Sequence, residues 1–157
     1  MDHSGERIVS TPIIDGIHHL KFPVADLAPS EAFYKRALAA QRVRQWDHVR
    51  ADGSLYAIIL AVPGLGTHLE LRLDPDQAMR QMGFDPVTLL VADRAALAGW
   101  IEHLDSCAVD HSPVLVAIQA WLVVFADPDG RQLRLYTRET HGPEIAPDEA
   151  SPWIVGD

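Results

Sequence analysis

The stretch HLKFPVADLAPSEAFYKRAL, residues 19–38, returns in altered form as PVTLLVADRAALAGWIEHLD, residues 86–105. Each copy opens with an apolar strand-like run, passes through the same Val-Ala-Asp, and continues as an amphipathic helix. Val24, Ala25 and Asp26 fall on Val91, Ala92 and Asp93, and Phe33 falls on Trp100. Such a repeat decides the fold, because each copy must be one supersecondary unit. Asp26 and Asp93 stand just ahead of their helices. There a carboxylate caps free backbone N–H groups and faces the positive end of the helix dipole, so both read as structural.

Three further strand-like runs follow each helix. In the first half they are QRVRQWDHV (41–49), LYAIILAV (55–62) and THLELRL (67–73). The turn ADGS (51–54) joins the first two and carries the Asp-Gly signature of a tight hairpin. In the second half the runs are SPVLVAI (112–118), WLVVFA (121–126) and RQLRLYT (131–137). The turn DPDG (127–130) precedes the last, with Pro128 presetting φ and Gly130 tolerating a positive one. Each half therefore reads β-α-β-β-β, and the fold class is α+β with two tandem modules, residues 13–75 and 84–138. Residues 1–12 read as a loose arm and 139–157 as a tail. Trp153, Ile154 and Val155 are apolar enough to anchor that tail on the body or on a partner subunit.

Composition narrows the function. With 48% apolar residues in 157, a packed globular protein is expected. No apolar run approaches the ~20 residues that span a bilayer. The opening MDHSGERIVSTP carries acids and lacks an apolar signal core, which predicts a cytoplasmic protein. Cys107 is the single cysteine, so no disulfide within the chain forms. A net charge of -9 argues against nucleic acid and anionic membranes as partners. It suits a cationic small molecule, and equally plain solubility.

Side chains of a strand alternate between its faces. Leu20, Phe22 and Val24 form the apolar side of the first strand, leaving His19, Lys21 and Pro23 opposite. In 67–73, Leu69, Leu71 and Leu73 are apolar, and His68, Glu70 and Arg72 lie opposite. In the second half Val87, Leu89 and Val91 take the helix side, leaving Pro86, Thr88 and Leu90. Leu133 and Leu135 go to the core, while Gln132, Arg134 and Tyr136 do not. Each sheet thus has a greasy face for its helix and a mixed polar face. Trp46, Trp121 and Tyr136 are costly to leave in water and are expected to line a concavity, the usual form of a small-ligand site, with His48 on the same strand face as Trp46.

The repeat, the HxxFPVADL…AFY pattern and the DPDGxxLxLY pattern together resemble the vicinal oxygen chelate superfamily. Glyoxalase I, fosfomycin-modifying enzymes, extradiol dioxygenases and bleomycin-binding resistance proteins belong to it. The resemblance covers residues 14 to 138. It implies curled mixed sheets around a cup with the helices outside, and a single domain over 13–138. It also implies a homodimer, since relatives often build the cup between subunits. Metal-dependent members hold the ion on the first and last strand of each module, which corresponds here to His19, Glu70, Pro86 and Arg134. Proline has no donor atom to give, and arginine stays protonated. Two of four ligands are therefore missing, and no metal cofactor is expected. Arg134 is expected instead to project into the cup and neutralise Glu70 directly.

Two functions follow. The first is a metal-free binder of a small aromatic or cationic molecule, with His19, Lys21, Trp46, His48, His68, Glu70, Trp121, Arg134 and Tyr136 around the ligand. The alternative is a lyase, isomerase or dioxygenase using a divalent metal at His19 and Glu70.

Overall fold

The computed structural model describes residues 10–154. Strand β1 (His19–Val24) leads to helix α1 (Leu27–Leu38), then β2 (Gln41–Arg42), β3 (His48–Val49), β4 (Leu55–Ala61) and β5 (His68–Leu73). A short helix α2 (Pro75–Arg80) bridges to β6 (Thr88–Val91), helix α3 (Arg94–Ser106), β7 (Leu115–Val116), β8 (Trp121–Ala126) and β9 (Gln132–Thr137). The first sheet has the order β1-β5-β4-β2, with β3 also on β4; the second has the order β6-β9-β8-β7. In both, the module's first strand runs parallel to its last, and the remaining pairs are antiparallel. The repeat seen in the sequence is thus a repeat of topology.

The two aspartates cap as expected. Asp26 accepts from the Ala28 N–H at 3.4 Å, and Asp93 from the Ala96 N–H at 2.9 Å. In α1, Ser30, Phe33, Tyr34, Ala37 and Leu38 are buried, the spacing of one helix face. Both helices are followed by an alanine with φ 54°, Ala39 and Ala108. The helix-bearing faces of both sheets close one core, in which Phe22, Leu69 and Leu71 of the first module join Leu97, Val123 and Leu133 of the second.

Between the modules lies a buried polar network. Asp127 of the DPDG turn accepts from Tyr34 Oη at 2.7 Å and from Arg131 Nη1 at 2.6 Å. Arg131 is fully buried, also donates to the Pro23 carbonyl, and lies 4.6 Å over the Phe22 ring. Burial, with the Asp127 carboxylate beside it, pushes the Tyr34 phenol well above its ordinary value.

The chain departs from its sequence pattern in three places. Residues 41–49 form a strand broken by a 3-10 turn, Arg44–Trp46. Arg42 forks onto Asp47 at 2.6 Å and reaches Glu31 at 3.1 Å, which bends the segment. Residues 112–118 shrink to the two-residue β7, because the Ser112 hydroxyl takes the Val124 N–H at 2.9 Å in place of a ladder bond. Helix α2 is an addition outside the repeat, capped by Asp74 and with Pro75 at its first turn. Val155 lies outside the described residues. Trp153 and Ile154, with Tyr136, pack against Leu115, Ala117, Leu122 and Val124 on the second sheet's far face.

Candidate functional site

The parallel register of β1 and β5 sets Lys21 beside Glu70 and Pro23 beside Arg72. Across β4, Ala57 pairs with Arg72 and Ile59 with Glu70, and His48 of β3 pairs with Ala57. These side chains therefore share the face opposite α1. Glu70 is buried to 4% exposure of its side chain, and each carboxylate oxygen has its own surroundings. His19 Nε2 and His48 Nε2 stand 3.9 and 3.7 Å from Oε1. Arg72 Nε donates to Oε2 at 3.0 Å, and Lys21 Nζ lies 3.9 Å from the same atom. His48 Nδ1 donates to the Trp46 carbonyl at 2.9 Å, so in the neutral ring the Nε2 facing Glu70 carries no proton.

A recess of about 450 Å³ opens over this cluster, lined by His18, His19, Trp46, His48, Ile59, His68 and Glu70. Trp46 meets His68 edge to face at 5.0 Å. A second cleft of about 450 Å³ runs between the modules, past Leu20, Leu38, Val87, Leu89 and Trp100. No titratable side chain lines that cleft, so it offers contact area without chemistry.

Of the residues singled out in the sequence, His19, Lys21, Trp46, His48, His68 and Glu70 gather on this one face. Arg134, Tyr136 and Trp121 do not join them. Arg134 was expected to neutralise Glu70; its Nε lies 3.1 Å from Asp85 Oδ2 instead, and Glu70 takes Arg72 from its own strand. Arg134 and Tyr136 line a separate recess of about 320 Å³ with Thr88 and Leu90. Trp121 points to the helix side of the second sheet, into the main core, with the Arg94 guanidinium 4.2 Å over its ring.

Three residues of this face, Tyr56, Arg50 and Arg72, lie outside the set singled out from the sequence. The β3–β4 register slips between His48 and Val49, so Val49 pairs with Leu55 and His48 with Ala57, leaving Tyr56 unpaired in a bulge. Strict alternation would send Tyr56 to the core with Ile58 and Leu60. It stacks on His48 at 5.5 Å instead, with the guanidinium carbons of Arg50 and Arg72 at 5.0 and 5.5 Å from its ring centroid. No periodicity reveals a bulge.

Among the described residues, no three His, Cys, Asp or Glu side chains are gathered to hold a divalent ion. The Glu70 oxygen that would be the second donor of a bidentate carboxylate already binds a guanidinium.

The Glyoxalase/Bleomycin resistance protein/Dioxygenase superfamily model matches residues 16–135. No curated protein matches the chain. Solved structures share its fold at low identity. The antibiotic-binding protein TnmS3 from Streptomyces sp. CB03234 is 19% identical at TM-score 0.63, covering 81% of this chain and 98% of that one. A glyoxylase/bleomycin resistance protein/dioxygenase domain from Frankia sp. EAN1pec is 21% identical at TM-score 0.62, covering 80% and 98%. The fosfomycin resistance protein FosX from Listeria monocytogenes, in complex with Mn(II), is 15% identical at TM-score 0.61, covering 79% and 90%.

Proposed function

This chain belongs to the Glyoxalase/Bleomycin resistance protein/Dioxygenase superfamily, and from that premise we propose that it is a metal-free binder of a small aromatic molecule, seated over Glu70. The observation that carries the reading is the 3.0 Å bond from Arg72 to Glu70. It commits the carboxylate to a guanidinium on the same strand, and Lys21 adds a second positive charge on the same oxygen. A divalent ion would have to displace the first and be repelled by both. The fold is shared with a protein described as antibiotic-binding and with one complexed with Mn(II), so fold alone does not choose, and the donor set must.

The binder acts as a homodimer in this reading. Ile13, Ile14 and Leu90 stay exposed in the single chain, apolar area that a second copy would cover. The unpaired Cys107 fits a cytoplasmic setting.

One observation favours the alternative, a lyase, isomerase or dioxygenase with a divalent metal at His19 and Glu70: both His19 and His48 aim Nε2 at the same carboxylate oxygen. Metal analysis of protein purified without chelator separates the two. The binder holds no stoichiometric metal, and its melting temperature is unchanged by EDTA. One tightly bound divalent ion per chain, lost with EDTA together with stability, would establish the enzyme reading instead.

A further inference from the structure

The face over Glu70 carries a charge opposite to that of the chain. Lys21, Arg50 and Arg72 are cationic, and Glu70 is the one carboxylate within 4.0 Å of any of them among the described residues. Three positive groups against one negative leave a surplus of two, on a protein whose net charge is -9. Asp52 follows Arg50 in the hairpin turn, but its Oδ1 is taken by the Ser54 N–H and hydroxyl at 2.8 and 2.6 Å. Arg72 meets Glu70 through Nε alone, and its two terminal nitrogens have no acceptor among the described residues. Arg50 and Arg72 both lie within 5.5 Å of the Tyr56 ring centroid, brought there by the β3–β4 bulge. Arg50 has no carboxylate within 4.0 Å among the described residues and Arg72 keeps two free donors, so an anion would find unsatisfied partners in both.

Beside the charges lies a surface for a flat apolar body. Trp46 is 48% exposed, stands edge-on to His68, and borders the same recess as Ile59. His68, Glu70 and Arg72 follow one another at two-residue steps on the same face of β5. The run from aromatic end to cationic end is thus roughly 13 Å.

We infer that the ligand of this face is an aromatic anion, its ring against Trp46, Ile59 and His68 and its acidic group at Arg72, Arg50 and Lys21. The inference rests on the proposed reading of this recess as a binding site. It replaces the cationic ligand that the net charge suggested: the acids responsible for that charge lie elsewhere, and a cation here would meet three like charges.

Calorimetric titration with 4-(2-naphthyl)butanoate, 4-(2-naphthyl)butanol and 4-(2-naphthyl)butylamine tests it, since one ring on a tether long enough to reach the cationic end then carries a negative, a zero or a positive charge. The butanoate should bind roughly tenfold tighter than the alcohol at low salt, the amine weakest of the three. The gap should narrow as salt rises. In the variant Lys21→Gln/Arg50→Gln the preference should shrink to the part that Arg72 alone supplies; this variant keeps the Arg72–Glu70 bond and hence the local fold. Equal affinity for all three probes overturns the anionic class and leaves a binder of aromatic molecules standing. A preference undiminished in the variant puts the anion elsewhere and overturns the assignment to this face. No heat and no melting shift from any probe overturns the ligand class altogether, while the metal analysis decides separately between binder and metalloenzyme.

Discussion

Among the described residues Glu70 has four potential cations within 4.0 Å, yet one hydrogen bond. That asymmetry predicts how the cluster responds to substitution. Arg72→Gln removes the only direct donor and should cost about 1–2 kcal/mol, less than a fully buried pair because Arg72 is about a third exposed and Lys21 stands ready. Glu70→Gln in the same chain leaves no stranded carboxylate, so the double variant should be more stable than the two single losses sum to. Urea unfolding of the four proteins measures the coupling, and strictly additive losses would mean that the bond contributes nothing. The sequence makes much of this site readable, since alternation alone puts His19, Lys21, His68, Glu70 and Arg72 on polar faces. What alternation does not supply is the choice of partner. Arg72 and Arg134 both satisfy it, and the residue that claims Arg134, Asp85, lies outside any strand where periodicity has nothing to say. Trp121 was unreadable for a different reason: β8 is apolar on both faces, so its pattern carries no parity.

At the scale of elements, both helices end through a left-handed alanine, Ala39 after α1 and Ala108 just past α3. That conformation is glycine's, and it costs an alanine about 1 kcal/mol. Both alanines are exposed, so their methyl groups contribute little packing. Ala39→Gly and Ala108→Gly should each stabilise the protein by about 0.5 kcal/mol, the gain trimmed by glycine's freer unfolded chain. Differential scanning calorimetry would register each as a rise of a degree or two. A fall would show that the turn is held by something other than backbone preference. Helices α1 and α3 were legible because a capping aspartate and a 3.6-residue apolar period agree in both copies. The strand at 41–49 was not, because Arg42 finds its partners five residues ahead and eleven behind, and it bends a segment whose local composition is strand-like.

For the molecule as a whole, the modules are joined by more than apolar contact. Tyr34 belongs to the first module, Asp127 and Arg131 to the second, and all three are buried. The phenol's ionisation is raised above its ordinary value near 10 by burial first and Asp127 second. A group raised on folding contributes its full stability below its unfolded value and loses it as pH climbs towards the folded one. Stability should therefore decline above pH 10, and an ultraviolet titration should show one of the three tyrosines ionising only as the protein unfolds. In Tyr34→Phe that late step should vanish; if it persists, another phenol is the buried one. The tandem architecture was legible from the repeat, whereas this junction was not. Its members lie 93 residues apart and look, one by one, like an ordinary helix tyrosine and an ordinary turn.

The tail bears on how the protein keeps to itself. Asp148 accepts the Val116 N–H at 2.7 Å and returns its own N–H to the Val116 carbonyl at 2.9 Å, beside a strand that ends the second sheet. An open rim of that kind is a template on which foreign strands assemble. With both hydrogen-bonding groups of Val116 satisfied and Trp153 and Ile154 laid over the neighbouring apolar surface, residues 148–154 act as a hem. Clipping within it would bare the rim of the second sheet, and the pairing groups of Val116 with it, to any strand that came near.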